Sequence, residues 1–353
     1  MPAGPPSAAS CAQLVAQLSL SEQVGQLVMV AVGSTGMNRA EKQALRRSHA
    51  GSVLLLGNSR AGTAATAAVV SEVRAAADRP ARVEVLLAAD QEGGRVQRLA
   101  GTGFTDIPSA VRQAELSDAE LARGAQEWGV QLDRAGINAN LAPVADVVPP
   151  WLGTRNEPVG KLRRGYGSSP TTVAAKVSAF TTGMDDAGIA TAVKHFPGLG
   201  RVRGNTDFER QVVDTTTTRT DRSLAGFAAA VDAGVDMVMV SSAVYTQIDP
   251  ERPAVFSPTV VEGMIRDDLD FDGVVISDDL SAAVLRDYSA ARRAVAFVGA
   301  GGDLMIVGDA TSAPSMAEAL LERGSRDRAF AKRIEQSAIR VLTLKDRRRL
   351  TRC

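Results

Sequence analysis

The chain reads as an α/β protein of the (β/α)8-barrel type, folded as a single domain. Three observations point there. Eight short apolar runs alternate with helix-length segments along nearly all of the 353 residues. The runs are rich in Val, Ile and Leu on consecutive positions, the pattern of parallel strands covered on both faces. An Ala-Gly pair recurs where helix gives way to strand, at Ala135-Gly136, Ala187-Gly188, Ala233-Gly234 and Ala300-Gly301. Glycine there suits the left-handed cap that turns a helix back toward a sheet. An open doubly wound sheet shares the same alternation and is the competing architecture.

In chain order, the start MPAGPPSAAS lacks a basic n-region and an apolar core, so residues 1–11 read as a flexible leader without a secretory signal. The barrel domain spans 12–345. Its strand-like runs are 24–32, 51–57, 83–91, 137–147, 189–196, 236–245, 273–279 and 303–308. Helical stretches lie between them at 62–78, 116–135, 169–187, 221–233, 257–268 and 279–299, with a last helix at 327–345. Residues 346–353 form a basic solvated tail ending in Cys353. No Pro/Ser/Gly-rich linker interrupts 12–345, so one domain is expected.

Bulk numbers exclude several classes. Forty basic and forty acidic residues cancel, which gives no electrostatic argument for nucleic acid or an anionic membrane. No apolar run approaches the roughly 18–20 residues that span a bilayer. Metal binding finds no histidine pair and no calcium-loop spacing. No strand is followed by a phosphate-loop or GxGxxG pattern, and no cofactor is called for. Cys11 and Cys353 are separated by 341 residues without cysteine. Two free thiols are the bland reading. A terminus-to-terminus disulfide is the sharper one and requires an oxidising compartment. Cys11 as a lipid attachment point is a third, although AAS before it is a poor lipidation site.

In a barrel, chemistry sits where strands end at the C-terminal face. Those ends carry Asp90-Gln91-Glu92 with Arg95 and Arg98, then Asp146, Lys194-His195, Ser241-Ser242, Ser277-Asp278-Asp279 and Asp309. Each has a structural reading: Asp279 as a helix cap, Asp90 paired to Arg95 or Arg98, Lys194 and His195 as a rim ion pair and a core histidine. His49, the only other histidine, follows Arg46-Arg47 and reads as surface. Carboxylates beside cationic donors suit glycoside chemistry, in which one carboxylate attacks the anomeric carbon and the rest hold hydroxyls.

The segments LLAADQEGGRVQRL, KHFPGLG and FDGVVISDDLS, in this order and spacing, resemble glycoside hydrolase family 3. The nearest branch is the single-domain bacterial β-N-acetylglucosaminidases that trim peptidoglycan fragments, here in an actinobacterial, lipoprotein-like form. The resemblance covers about residues 20–345. It implies a monomeric, extracytoplasmic, metal-independent retaining β-N-acetylhexosaminidase acting through a covalent glycosyl-enzyme on amino-sugar oligosaccharides or muropeptides. Position by position, Asp278 matches the nucleophile. Asp90, Arg98, Lys194 and His195 match contacts to sugar hydroxyls. Arg164 in RRGYGSSP matches the Arg of the family's RSFG segment, with Arg163 the alternative.

One departure stands out. The branch usually reads KHFPGHG followed by an Asp-Ser-His triplet whose Asp-His dyad is the general acid/base. Here Leu199 replaces the first histidine and Asn205-Thr206-Asp207 fills the triplet. Asp207 is then the candidate acid/base, provided burial against Phe208 and Leu199 raises its pKa. Glu209 and Asp214 are the alternatives on the same loop. A muropeptide-binding relic that has lost turnover is a second reading. A phosphorylase, using Arg201 and Arg203 for phosphate, is a third.

Overall fold

The computed structural model describes residues 8–353. Its centre is a closed parallel barrel of eight strands. They are β1 (Val28–Gly33), β2 (Ser52–Leu56), β3 (Leu86–Ala89), β4 (Ala139–Asn140), β5 (Ala190–Phe196), β6 (Met237–Val240), β7 (Val274–Asp279) and β8 (Leu304–Val307). Each pairs in parallel with its sequence neighbour, and β1 closes on β8 through Val28↔Met305 and Val30↔Val307. The open-sheet alternative is thereby excluded.

Both faces of the strands are buried, which explains the unbroken apolar runs. Met29, Ala31, Leu86, Ala88, Ala190, Ala192, Met237, Met239, Val274, Ile276, Leu304 and Ile306 alternate inward and fill the barrel. Their neighbours Val30, Leu87, Val193, Val238, Val275 and Met305 face the helices. The Ala-Gly signal holds at every position: Gly136, Gly188, Gly234 and Gly301 all have φ between 77° and 101°. At Gly188 and Gly234 a Cβ would meet nothing within 4 Å. The requirement there is conformational, not steric.

Several expected boundaries move. Residues 24–26 belong to the helix Leu20–Gln26, which a reciprocal cap between Ser19 and Glu22 fixes. The fourth strand keeps only two ladder residues, because Pro143 offers no N–H. The chain beyond still bonds to β5 through the Ala142 and Pro143 carbonyls, at 3.1 and 3.0 Å. The expected helix 279–299 begins only at Ala290; residues 280–289 form turns around the short 3-10 segment Ala283–Leu285.

Both chain ends differ from expectation. Residues 1–7 of the expected leader lie outside the described residues, but Ala8–Val15 is a helix and Cys11 is fully buried. The last eight residues are not a free solvated tail. The final helix runs Arg328–Arg347, and Val341, Leu344 and Leu350 pack against the barrel's lower end. Arg348 donates to the buried Asp236 at 2.5 Å and to Asp185 at 2.8 Å. Asp236 also accepts the N–H of Thr191 on β5. Cys353 is bonded to Cys11, with Cα atoms 4.7 Å apart.

Burial alone raises the Asp236 carboxyl and the Arg348 charge opposes it. Arg348→Ala therefore leaves a buried carboxylate without its cation, and urea unfolding should show a loss of about 3 kcal/mol. Adding Asp236→Asn should recover part of that loss. Wild-type stability in the single variant would refute the role assigned to this plug.

Candidate active site

At the C-terminal mouth of the barrel lies a pocket of about 370 Å³. Leu54, Met239 and Ile306, inward-facing strand residues, and Leu141 just past β4 make its apolar floor. Its walls carry Asp90, Arg98, Arg164, Lys194, His195, Asp207, Asp278 and Asp279. Asp278, Asp207 and the sugar-contact candidates Asp90, Arg98, Arg164, Lys194 and His195 therefore reach one cavity, while the alternatives Arg163, Glu209 and Asp214 do not.

The polar wall is built around Lys194, whose side chain is 2% exposed. Its ammonium lies 2.6 Å from Asp90 Oδ1 and 2.6 Å from Glu92 Oε1. Arg164 closes on Glu92 with two bonds, Nε to Oε2 at 2.8 Å and NH2 to Oε1 at 2.7 Å. Burial would raise the Glu92 carboxyl, but the Arg164 and Lys194 charges outweigh it and hold Glu92 at about 2. Burial would likewise lower Lys194, and Asp90 and Glu92 instead raise it. Both cations stay charged.

His195 is oriented by Asp146, a fully buried carboxylate. Asp146 Oδ2 lies 2.8 Å from His195 Nδ1, and Oδ1 accepts the backbone N–H of His195 and of Leu199. Arg164 NH2 stands 3.3 Å from Nε2. Guanidinium only donates, so Nε2 accepts and Nδ1 donates to Asp146. The Lys194–His195 and Phe196–Pro197 peptide bonds here are cis. Arg98 donates to Asn58 at 3.0 Å. Arg163 is exposed with φ 59° and does not line the pocket, so Arg164 is the residue the fold places.

Asp278 is the penultimate residue of β7, and its Oδ1 accepts the N–H of Asp279 at 2.9 Å. Asp279 accepts Ser281 N at 2.7 Å and Gly308 N at 2.8 Å, tying β7 to β8. It is no helix cap, since no helix starts at Leu280. A Cβ on Gly308 would lie 2.1 Å from its carboxylate, so glycine is required there. Asp309, Ser241 and Ser242 stay outside the pocket, Asp309 capping the 3-10 turn Ala310–Ser312.

The loop 199–209 is held from both sides. Asn156 donates to the carbonyls of Leu199 and Val202, each at 2.7 Å. Val284 and Ala283, just past Asp278, donate to the carbonyls of Thr206 and Asp207 at 3.2 and 3.4 Å. Asn205 Oδ1 accepts the N–H of Asp207 at 3.0 Å, closing a tight Asx turn. Asp207 is thereby placed in the same cleft as Asp278. Loss of surrounding water in the cleft and the negative charge of Asp278 raise its carboxyl to about 6. Asp207 keeps solvent contact at the mouth, so water reaches it. Phe208 has no part in the shift as a burying wall, because it is 80% exposed.

The alternatives fare differently. Asp214 is buried in a turn with Thr216 and Thr217 and does not line the pocket. Glu209 folds over Gly204, where a Cβ would lie 2.4 Å from its Oε2. Arg201 is held by Asp221 and Thr217, and Arg203 is exposed; neither reaches the pocket. The phosphate reading loses its cations. His49 bonds Asp78 at 2.7 Å, half exposed. Sequence reasoning gave no role to Glu92, Asp146, Asn156 or Asn58. Glu92 was accessible to it: two residues after Asp90 along an extended chain, it shares that residue's face.

The profile of the Glycosyl hydrolase family 3 N terminal domain matches residues 19–344. The chain is 34% identical over 298 residues to a beta-hexosaminidase of Methylococcus capsulatus, covering 80% of this chain and 83% of that one. It is 31% identical over 290 residues to a beta-hexosaminidase of Stenotrophomonas maltophilia, at the same coverage. Among solved structures, a β-N-acetylhexosaminidase from Beutenbergia cavernae aligns with a TM-score of 0.91 at 46% identity, over 93% of this chain and 98% of that one. A glycoside hydrolase family 3 β-N-acetylglucosaminidase from Paenibacillus sp. aligns at 0.84 and 32%, over 94% and 63%.

Glu92 is 4% exposed between two cations. Its depressed pKa contributes stability above the ordinary carboxylate value of about 4.5, lost as pH falls toward about 2. Glu92→Gln should lose about 3 kcal/mol at pH 7. The gap between variant and wild type should narrow by pH 3. A gap independent of pH, read from urea midpoints, would contradict this.

Proposed function

The chain belongs to glycoside hydrolase family 3, and we infer that it is a β-N-acetylhexosaminidase releasing terminal β-linked N-acetylglucosamine with retained configuration. One observation carries the reading. Asp278 and Asp207 face a single pocket whose wall holds a permanently charged lysine and arginine beside acceptor carboxylates.

Asp278 attacks the anomeric carbon, forming an ester as the glycosidic C–O bond breaks. Asp207, protonated, passes its proton to the departing oxygen. Ionised by that transfer, it takes a proton from water, which attacks the anomeric carbon and frees Asp278. The hydroxyls are held from the other wall. Lys194 commits two of its three N–H donors to Asp90 and Glu92 and keeps one for substrate. Arg164 has one of five N–H groups left after Glu92, Pro158 and His195.

The family branch supports peptidoglycan fragments as the source of substrate. The Cys11–Cys353 pairing supports work outside the cytoplasm. A carbohydrate-binding relic is the reading to beat, since the usual acid/base dyad is replaced.

Wild type, Asp278→Asn and Asp207→Asn should be assayed on an aryl β-N-acetylglucosaminide and on a β-1,4-linked amino-sugar disaccharide, including a muropeptide disaccharide. Asp278→Asn should abolish turnover of all. Asp207→Asn should cost about 10²–10⁴-fold on the disaccharides and far less on the aryl substrate, whose leaving group needs little protonation. Because the acid must be protonated, wild-type kcat/KM should fall as pH rises through about 6, and Asp207→Asn should lack that limb. Turnover of the aryl substrate alone, unchanged by Asp207→Asn, would favour the relic.

The disulfide is checked separately. Native protein alkylated without reductant should keep its intact mass, and reduction first should add two labels. Two labels without reduction would remove the support for an oxidising compartment.

A further inference from the structure

Among the described residues, Phe208 is the most exposed of the large apolar side chains, at 80%, and it borders the pocket. A lone exposed apolar side chain needs no explanation in itself. Its position here supplies one. Phe208 directly follows Asp207 on a fixed turn, with the N–H groups of Phe208 and Glu209 donating to Asn205 O at 3.1 and 2.9 Å. The turn fixes the backbone under the ring yet leaves the ring uncovered.

An acid that protonates a glycosidic oxygen sits between the sugar under attack and the sugar that leaves. A pocket of about 370 Å³ is at the small end of ligand pockets. It takes one amino-sugar ring and leaves the second projecting from the mouth. That second ring then lies beside Asp207 on the outer side, where Phe208 stands. A sugar ring presents C–H groups, which carry the positive charge that an aromatic face attracts. We propose that Phe208 is the stacking platform for the leaving-group sugar, and so the residue that favours substrates whose leaving group carries a ring. The proposal rests on the hexosaminidase reading with Asp207 as acid.

The test compares methyl β-N-acetylglucosaminide with the β-1,4-linked disaccharide. Both need the acid, and only the second offers a ring to stack. Phe208→Ala should lower kcat/KM on the disaccharide about tenfold, mostly through KM, with Phe208→Trp restoring it. On the methyl glycoside the change should stay within about twofold. Equal losses on both substrates would mean that Phe208 acts by positioning Asp207, and would overturn the proposal. So would no loss on either. Calorimetric titration in the Asp278→Asn background decides the point without turnover. There Phe208→Ala should weaken the disaccharide and leave N-acetylglucosamine unchanged, and equal affinities would refute the platform. If wild type hydrolyses neither glycoside, the functional reading fails and the titration still judges Phe208.

Discussion

The site depends on one buried cation. Lys194 brings an ammonium to the end of β5 with almost no access to water, a state that needs compensating charge. Asp90 and Glu92 supply it from the end of β3, and Arg164 from the β4 loop adds a second cation to Glu92. Three successive barrel segments are thus joined by one alternating row of charges. The row explains why the pocket has a rigid polar wall: none of its members can move without stranding another. On the proposed function it also suits the wall to neutral hydroxyls, since fixed ions with a few donors left over are ordered before any ligand arrives.

The opposite wall works by repulsion. Asp207 and Asp278 are two carboxyls in one cleft, and the second charge is harder to place than the first. His195 and Arg164 offset only part of this, because they are turned toward Asp146 and Glu92. The two walls therefore divide the labour. On the proposed function, paired ions would fix the sugar and the carboxyls of Asp207 and Asp278 would carry the chemistry.

Much of this was legible in the sequence, for identifiable reasons. The barrel followed from double-sided burial, which leaves unbroken apolar runs, and from glycines needing positive φ at helix ends. The strand-end rule delivered Asp90, Lys194, His195 and Asp278 to one mouth. What escaped were partners defined only by tertiary approach. Asp146 is a strand-end acid like the others until Leu199 and His195 fold onto it. Asn156 sits in a loop whose path no periodicity sets. The tail around Arg348 looked solvated because a basic stretch usually is, and its acceptor Asp236 lies just before a strand over a hundred residues earlier. Phe208 was expected to bury Asp207, a local inference from adjacency that the turn at Asn205 overrules.

On the proposed roles an aspartate serves as acid/base where the branch usually has a histidine, which changes where its pKa comes from. Histidine titrates near neutrality without help. An aspartate must be pushed there, and here part of the push is the charge on Asp278. On the proposed roles that charge is not constant. It is present when Asp207 must donate, and it is gone once Asp278 has become an ester. Asp207 should then relax toward an ordinary carboxylate, ionised and ready to take a proton from water. When the ester is cleaved, the charge returns and Asp207 is raised again. The same pair of residues thus sets the acid for the first step and the base for the second. A neutral Asn205 suits this cycle better than the aspartate usual in the branch, because a third fixed charge would hold Asp207 protonated when it needs to be free.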